Sequence, residues 1–258
     1  MKTIILAGGL GTRLAEETDS KPKPMVMLDE NPILWHIMRI YIEQGFNEFV
    51  IALGYKGEII KRWAKDLVEL KGSFEISSPS GNFKGLVSEN QPEFKITALE
   101  TGLQTLTGLR IKRCYEHIGK ERIFATYGDG LGNVNLEKLL NSHLKSGKIA
   151  TLTAVRPVAR FGYLELNDQS QVVHFGEKNQ MDAGWINGGF FVFEPEILNF
   201  IGEKDEPFET GALARLAAAN QLNAYKHDDF WQPMDTLREK YELIKLAAKE
   251  IPDWLNFN

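Results

Sequence analysis

TIILAGGLGTRLAEETDSKPKPMVM, residues 3–27, is the stretch whose reading decides the fold. Ile4, Ile5 and Leu6 read as the end of a buried strand that runs directly into Ala7-Gly8-Gly9-Leu10-Gly11. With so little side-chain bulk, backbone N–H groups in such a loop approach a ligand closely. Thr12 and Arg13 follow, and after a short polar spacer Lys21 and Lys23 alternate with Pro22 and Pro24. A glycine cradle with three cations nearby suits a polyphosphate. The plain alternative, a tight strand-to-helix connection, stays open for the loop by itself. Two familiar phosphate loops do not fit the letters. No Gly-Lys-Ser or Gly-Lys-Thr stands at Walker spacing, and Leu14 occupies the place of the third glycine in the dinucleotide fingerprint.

Outward from that loop, a chain of 258 residues can bury a substantial core as one large domain. Its 43% hydrophobic and 25% charged residues are ordinary for a globular protein. A formal charge of −5 argues against a general nucleic-acid or membrane-surface binder, so local cations must handle any anionic ligand. No apolar run reaches the roughly 18–20 residues that span a bilayer, and no basic, apolar leader opens the chain. The expected location is cytoplasmic. Cys114 is the single cysteine, which excludes an intrachain disulfide and reads as a small buried hydrophobe.

Apolar runs alternate with helical patterns through the first half, predicting an α/β fold with a largely parallel sheet. Asn31 is expected to cap a helix with Pro32 at its first position, an apolar face from Ile33 to Tyr41, and a stop at Gly45. His36 on that helix reads as a surface or interface histidine. Residues 49–53 read as a buried strand, 71–91 as loops and short strands, and 94–99 as a half-buried strand opening into a polar loop. In IFATYGDG, residues 123–130, an apolar strand ends in a carboxylate bracketed by glycines. Asp129 should therefore project from the ligand-binding edge of the sheet. A simple turn is the alternative, but Mg²⁺ is commonly held by one or two carboxylates together with substrate phosphate oxygens.

Asn135 is expected to cap a helix whose Leu136, Leu139, Leu140 and Leu144 face the core, with His143 on its surface. Residues 149–155 read as a strand. Beyond them, the strand-like runs 160–166, 171–175 and 188–193 lack long helices between them, which predicts a smaller mixed or antiparallel lobe beside the sheet. In that lobe Lys178 could neutralise a phosphate and Glu177 accept from sugar hydroxyls, while Gly162, Asn187 and Gly188 would let backbone approach a pyranose ring. Surface charge and packing glycines are the plain readings of the same residues. Asp235 precedes a helix built on Leu237, Tyr241, Leu243, Ile244 and Leu246, where an N-cap is its default role. The bulky tail IPDWLNFN, residues 251–258, is expected to dock on its own domain or on a neighbouring subunit.

The combination G-G-x-G-T-R followed by K-P-K-P, with NPILWHIM after it, resembles the sugar-phosphate nucleotidyltransferases, most closely their glucose-1-phosphate cytidylyltransferase branch. That resemblance implies a GT-A-like fold: a Rossmann-like, mostly parallel mixed sheet flanked by helices, with the smaller lobe binding sugar. It implies one domain over residues 1–258, with 1–150 mainly nucleotide-binding, 151–236 mainly sugar-phosphate-binding, and 237–258 a C-terminal helix and tail. It further implies CTP and glucose 1-phosphate as substrates, CDP-glucose for surface polysaccharide as product, and a homo-oligomeric assembly. Leu6, Ala7, Gly8, Gly9, Gly11, Thr12, Arg13, Lys23 and Gly128 would line the nucleotide site, with Thr105 and Arg110 meeting base and ribose. Gly162, Glu177, Lys178, Asn187 and Gly188 would hold the sugar phosphate. Arg13, Lys23, Asp129 and Asp235 would be catalytic, the two aspartates binding Mg²⁺. A nucleotide-sugar glycosyltransferase and a catalytically silent sensor are the other classes. The first commonly carries Asp-x-Asp, and no two aspartates here are so spaced. The second would have lost cations or carboxylates that this chain keeps.

Overall fold

Strand β1 (Thr3–Leu6) is buried at every residue, and its alternation divides the core in two. Ile5 packs into one cluster while Ile4 and Leu6 pack into the other, as the two-residue period of a strand requires. The computed structural model describes residues 1–69, 73–77, 82–86, 92–157, 162–177 and 184–257. Among the described residues six further strands join β1 in one sheet: β2 (Glu48–Leu53), β3 (Lys95–Glu100), β4 (Ile123–Tyr127), β5 (Ala150–Val155), β6 (Ile186–Phe193) and β7 (Leu222–His227). Their order is β7-β5-β6-β4-β1-β2-β3. All pairings are parallel except those of β6, which lies antiparallel between β5 and β4. The mostly parallel α/β sheet read from the sequence is thus present.

One run expected in a separate lobe belongs to this sheet instead. Residues 188–193 lie within β6, whose Phe190 to Phe193 are buried between β5 and β4. Four phenyl-and-valine residues in a row suit a strand covered on both faces rather than one half open to water. Of the other runs, Gly162–Leu166 and Val172–Glu177 pair antiparallel as a separate two-stranded unit.

Helices cover both faces. On the side of Ile5 lie α1 (Ile33–Ile42), α2 (Gly57–Glu69), α4 (Leu136–Ser146) and α5 (Leu237–Ala247), and on the side of Ile4 lies α3 (Thr107–Ile118). Several local expectations need correcting. Asn31 does not cap α1, because Asn31–Pro32 pairs antiparallel with Met27–Leu28. The first helical N–H, that of Ile33, is satisfied by the Val26 carbonyl at 2.9 Å. His36 is buried rather than superficial, with Nε2 3.2 Å from the Leu28 carbonyl and its ring edge-on to Trp254. His143 is buried too, its Nδ1 2.9 Å from Thr151 Oγ1 and its Nε2 3.2 Å from Glu194. Burial holds both imidazoles below their ordinary pKa. Leu144 and Tyr241 face solvent instead of the core. Asn135 does cap α4, accepting from the Lys138 N–H at 2.9 Å, and Cys114 is buried, its thiol pushed up to about 12 by burial. The tail docks on its own chain: Trp254 is fully buried, and the Asn256 carbonyl accepts from Asn133 Nδ2 at 2.9 Å.

Candidate active site

The carboxyl ends of β1 and β4 stand side by side, with Leu6 opposite Tyr127 in the register. The loops that leave these two ends therefore face each other. Beyond β1, Gly11 adopts φ +67°, a left-handed conformation that glycine enters without strain. A Cβ on Gly8 would stand 2.2 Å from the Arg110 guanidinium, so the bare backbone is what lets that side chain in. Arg110 is itself buried and ties three segments together. It donates to the carbonyls of Leu53 and Gly102 at 2.8 Å and of Gly8 at 3.0 Å, and to Thr101 Oγ1 at 2.7 Å. Burial lowers its pKa from the ordinary arginine value. Nearby, Thr105 Oγ1 accepts from Arg113 at 2.9 Å.

The prolines of Lys21-Pro22-Lys23-Pro24 set a short 3₁₀ turn at Lys23–Met25, with the Met25 N–H on the Pro22 carbonyl at 2.8 Å. That turn buries the Lys23 stem and aims its ammonium at two carboxylates at once, Asp129 Oδ2 at 2.7 Å and Asp235 Oδ1 at 2.6 Å. Arg13 Nη1 reaches Asp235 Oδ2 at 2.5 Å. The two aspartates are 106 positions apart and meet through a second pairing, in which Gly130–Gly132 runs antiparallel to Trp231–Pro233. The Met234 N–H continues this pairing onto the Asp129 carbonyl at 2.8 Å, bringing Asp235 alongside. Gly128 fits because a Cβ there would lie 2.8 Å from Pro24 and 2.9 Å from the Leu6 carbonyl. Two cations and two carboxylates thus form a compact, charge-balanced group.

Asp235 is not the helix cap. Thr236 is, accepting from the Glu239 N–H at 3.2 Å, while the Glu239 carboxylate returns bonds to the Thr236 and Asp235 N–H groups at 3.0 and 2.8 Å. The Asp235 side chain is left to Arg13 and Lys23.

Above this group opens a cleft of about 400 Å³. Every residue read from the sequence as nucleotide-binding lines it: Leu6, Ala7, Gly8, Gly9, Gly11, Thr12, Arg13, Lys23, Thr105, Arg110 and Gly128, together with Asp129. Tyr127, Thr107 and Glu209 line it as well and were not singled out in the sequence. Tyr127 directly precedes Gly128-Asp129 at a strand end, a position that could have flagged it; Glu209 sits in no motif. Of the residues expected to meet sugar phosphate, Asn187 donates through Nδ2 to the Tyr127 hydroxyl at 3.2 Å, which places it at the same sheet edge. Trp231 Nε1 donates to the Gly188 carbonyl at 2.8 Å. Gly162 and Glu177 face each other across their separate strand pair. Lys178 lies outside the described residues.

Residues 2–248 match the family model described as Nucleotidyl transferase. A probable glucose-1-phosphate cytidylyltransferase of Bacillus subtilis (strain 168) is 43% identical over 248 residues, covering 95% of this chain and 96% of its own. The glucose-1-phosphate cytidylyltransferase of Salmonella typhimurium is 40% identical over 255 residues, 98% of either chain. The fold is also that of a putative glucose-1-phosphate thymidylyltransferase from Bacillus anthracis, with a TM-score of 0.66 at 16% identity over 100% of this chain and 97% of that one. With a glycine loop, paired cations and paired carboxylates on one sheet edge, and a match from end to end, the chain belongs to the nucleotidyl transferase family.

Proposed function

We propose that this enzyme makes CDP-glucose and diphosphate from CTP and α-D-glucose 1-phosphate. The observation that carries the chemistry is the meeting of Lys23 and Arg13 with Asp129 and Asp235 at the mouth of the glycine-lined cleft. The choice of cytidine and glucose is supported by relatives 40–43% identical over nearly all of both chains.

In this reading an oxygen of the sugar phosphate attacks the α-phosphorus of CTP, a new P–O bond forms, and the bond to the β-phosphate breaks with diphosphate leaving in line. The attacking oxygen is already ionised at neutral pH, so no side chain need act as a base. Positioning and charge neutralisation carry the rate. Backbone N–H groups of Gly8, Gly9 and Gly11, with Arg13, hold the β- and γ-phosphates. Lys23 neutralises charge as diphosphate departs, and Lys178 holds the incoming phosphate. Gly162, Glu177, Asn187 and Gly188 orient the sugar, and Thr105 and Arg110 fix base and ribose, Arg110 by shaping the loops it ties together.

The donor set suits Mg²⁺. Asp129 and Asp235 supply hard oxygen ligands that converge on one point, where Lys23 Nζ now stands 2.7 and 2.6 Å from them. Phosphate oxygens and water would complete the coordination, as is usual for this ion. When bound it would supply Lewis-acid polarisation and a template for the two phosphates.

Among the described residues no helix is long and apolar enough to cross a membrane. A cytoplasmic homo-oligomer feeding surface-polysaccharide synthesis completes the reading. The test is diphosphate release over a grid of four nucleoside triphosphates and several sugar 1-phosphates, with Mg²⁺ and after chelation. Release with CTP and glucose 1-phosphate, abolished by chelator and restored by Mg²⁺, is expected; preference for another pair would overturn the substrate assignment.

A further inference from the structure

Across the cleft from the glycine loop stands a carboxylate that phosphate binding cannot explain. Apart from Asp129, Glu209 is the only acidic side chain lining the cleft among the described residues, and it is exposed to it. A carboxylate beside a triphosphate is repulsive, so its place in this cleft calls for hydrogen-bond donors on the ligand.

The surroundings hold Glu209 in position and aim donors at it. Asn187 Oδ1 accepts from the Gly189 N–H at 3.0 Å, which turns its amide nitrogen toward the Tyr127 oxygen at 3.2 Å. The single phenolic hydrogen must then point elsewhere, and it points at Glu209 Oε1, 2.5 Å away. Burial and the Glu209 carboxylate raise the Tyr127 pKa above its ordinary value, keeping the phenol protonated as a donor. Thr107 is arranged the same way. Its oxygen accepts from the Phe208 N–H at 2.8 Å, leaving its hydrogen for Glu209 Oε2 at 3.3 Å. Phe208 is fully buried, and Glu209 opens a π-helical turn, Glu209–Leu213, a local winding found frequently at functional sites. A carboxylate offers about four lone-pair positions. Two are taken by Tyr127 and Thr107.

We propose that the remaining two receive the vicinal 2′- and 3′-hydroxyls of the ribose, making Glu209 the residue that selects ribonucleotides. Tyr127 is its positioning residue. The placement rests on the nucleotidyl-transfer reading above, which puts phosphates at Arg13 and Lys23 and the base and ribose beside Thr105 and Arg110. Glu209 is bonded to Tyr127, two residues before Asp129 in the chain, and to Thr107, between those base-side residues, so it stands where the ribose bridges the two ends.

The experiment is calorimetric binding of the Mg²⁺ complexes of CTP, 2′-deoxy-CTP and 2′,3′-dideoxy-CTP to the wild type, Glu209→Gln, Glu209→Ala and Tyr127→Phe. Hydrogen bonds to a charged group are strong enough that the wild type should favour CTP over the dideoxy analogue by about tenfold or more. In Glu209→Ala that ratio should fall to about one, with Glu209→Gln and Tyr127→Phe between. An unchanged ratio in Glu209→Ala, or a wild type that binds all three alike, overturns the proposal. A variant that weakens all three nucleotides equally also counts against it. Should Glu209→Gln instead alter preference between CTP and UTP, the carboxylate reads the base. Running ribo and deoxy forms of all four bases separates this question from the first: a protein preferring another base would refute the CTP assignment while still testing Glu209 with that nucleotide.

Discussion

Asp129 and Asp235 each lie in a short phrase that a turn or a helix cap would explain equally well, yet the geometry gives each carboxylate an ionic partner that neither explanation calls for. Asp129 points its carboxylate at Lys23, and Thr236 has taken the cap. Replacing either aspartate with asparagine keeps the shape and removes the charge. Asp129→Asn and Asp235→Asn should fold, as read by circular dichroism, and lose on the order of 10²–10³ in kcat or more; near-normal turnover in either would refute the metal assignment. At this scale the glycines, Arg13, Lys23 and both aspartates were legible, because each sits in a compact run of unusual residues. Tyr127 and Glu209 were not, since Glu209 gains its meaning only from a bond to a residue 82 positions away.

At the scale of elements, local chemistry succeeded where a side chain serves its own neighbours and failed where distant backbone competes. Asn135 caps α4 as its sequence suggests, while Asn31 loses its cap to a strand pair and the Val26 carbonyl. The Thr236 cap offers a clean separation of folding from chemistry next to the site. Thr236→Ala should lower stability by about 0.5–2 kcal/mol in denaturant titration, while kcat stays within a few-fold of the wild type. A loss as large as that of Asp235→Asn would mean that the cap, not the carboxylate, holds the site together. The antiparallel insertion of β6 had no local signature. A run of buried aromatic and β-branched residues looks the same whichever way its neighbours point.

Over the whole molecule, the last residues close the core instead of trailing from it. Trp254 lies edge-on to His36 at 5.2 Å and 6.2 Å from Phe230, joining the tail to α1 and to the segment that carries Asp235. Removing so large a buried side chain leaves a cavity, and Trp254→Ala should cost about 3–5 kcal/mol, measured by denaturant unfolding, with no change of mass in light scattering. A fall in mass without loss of stability would instead place the tail on a neighbouring subunit. The burial of His36 and His143 belongs to this scale as well, since tertiary packing alone decides which side of a short helix meets the core. By itself the sequence determined the α/β class, the phosphate-suited loop with its cations, and the two carboxylates, because strand period, glycine freedom and charge act over a few neighbouring residues. Only the tertiary structure decided that β6 runs against its neighbours, that Asp129 and Asp235 share Lys23, and that Glu209 enters the cleft. Those outcomes depend on which backbone groups remain to be hydrogen-bonded after distant segments have packed, and no short window of residues contains that information.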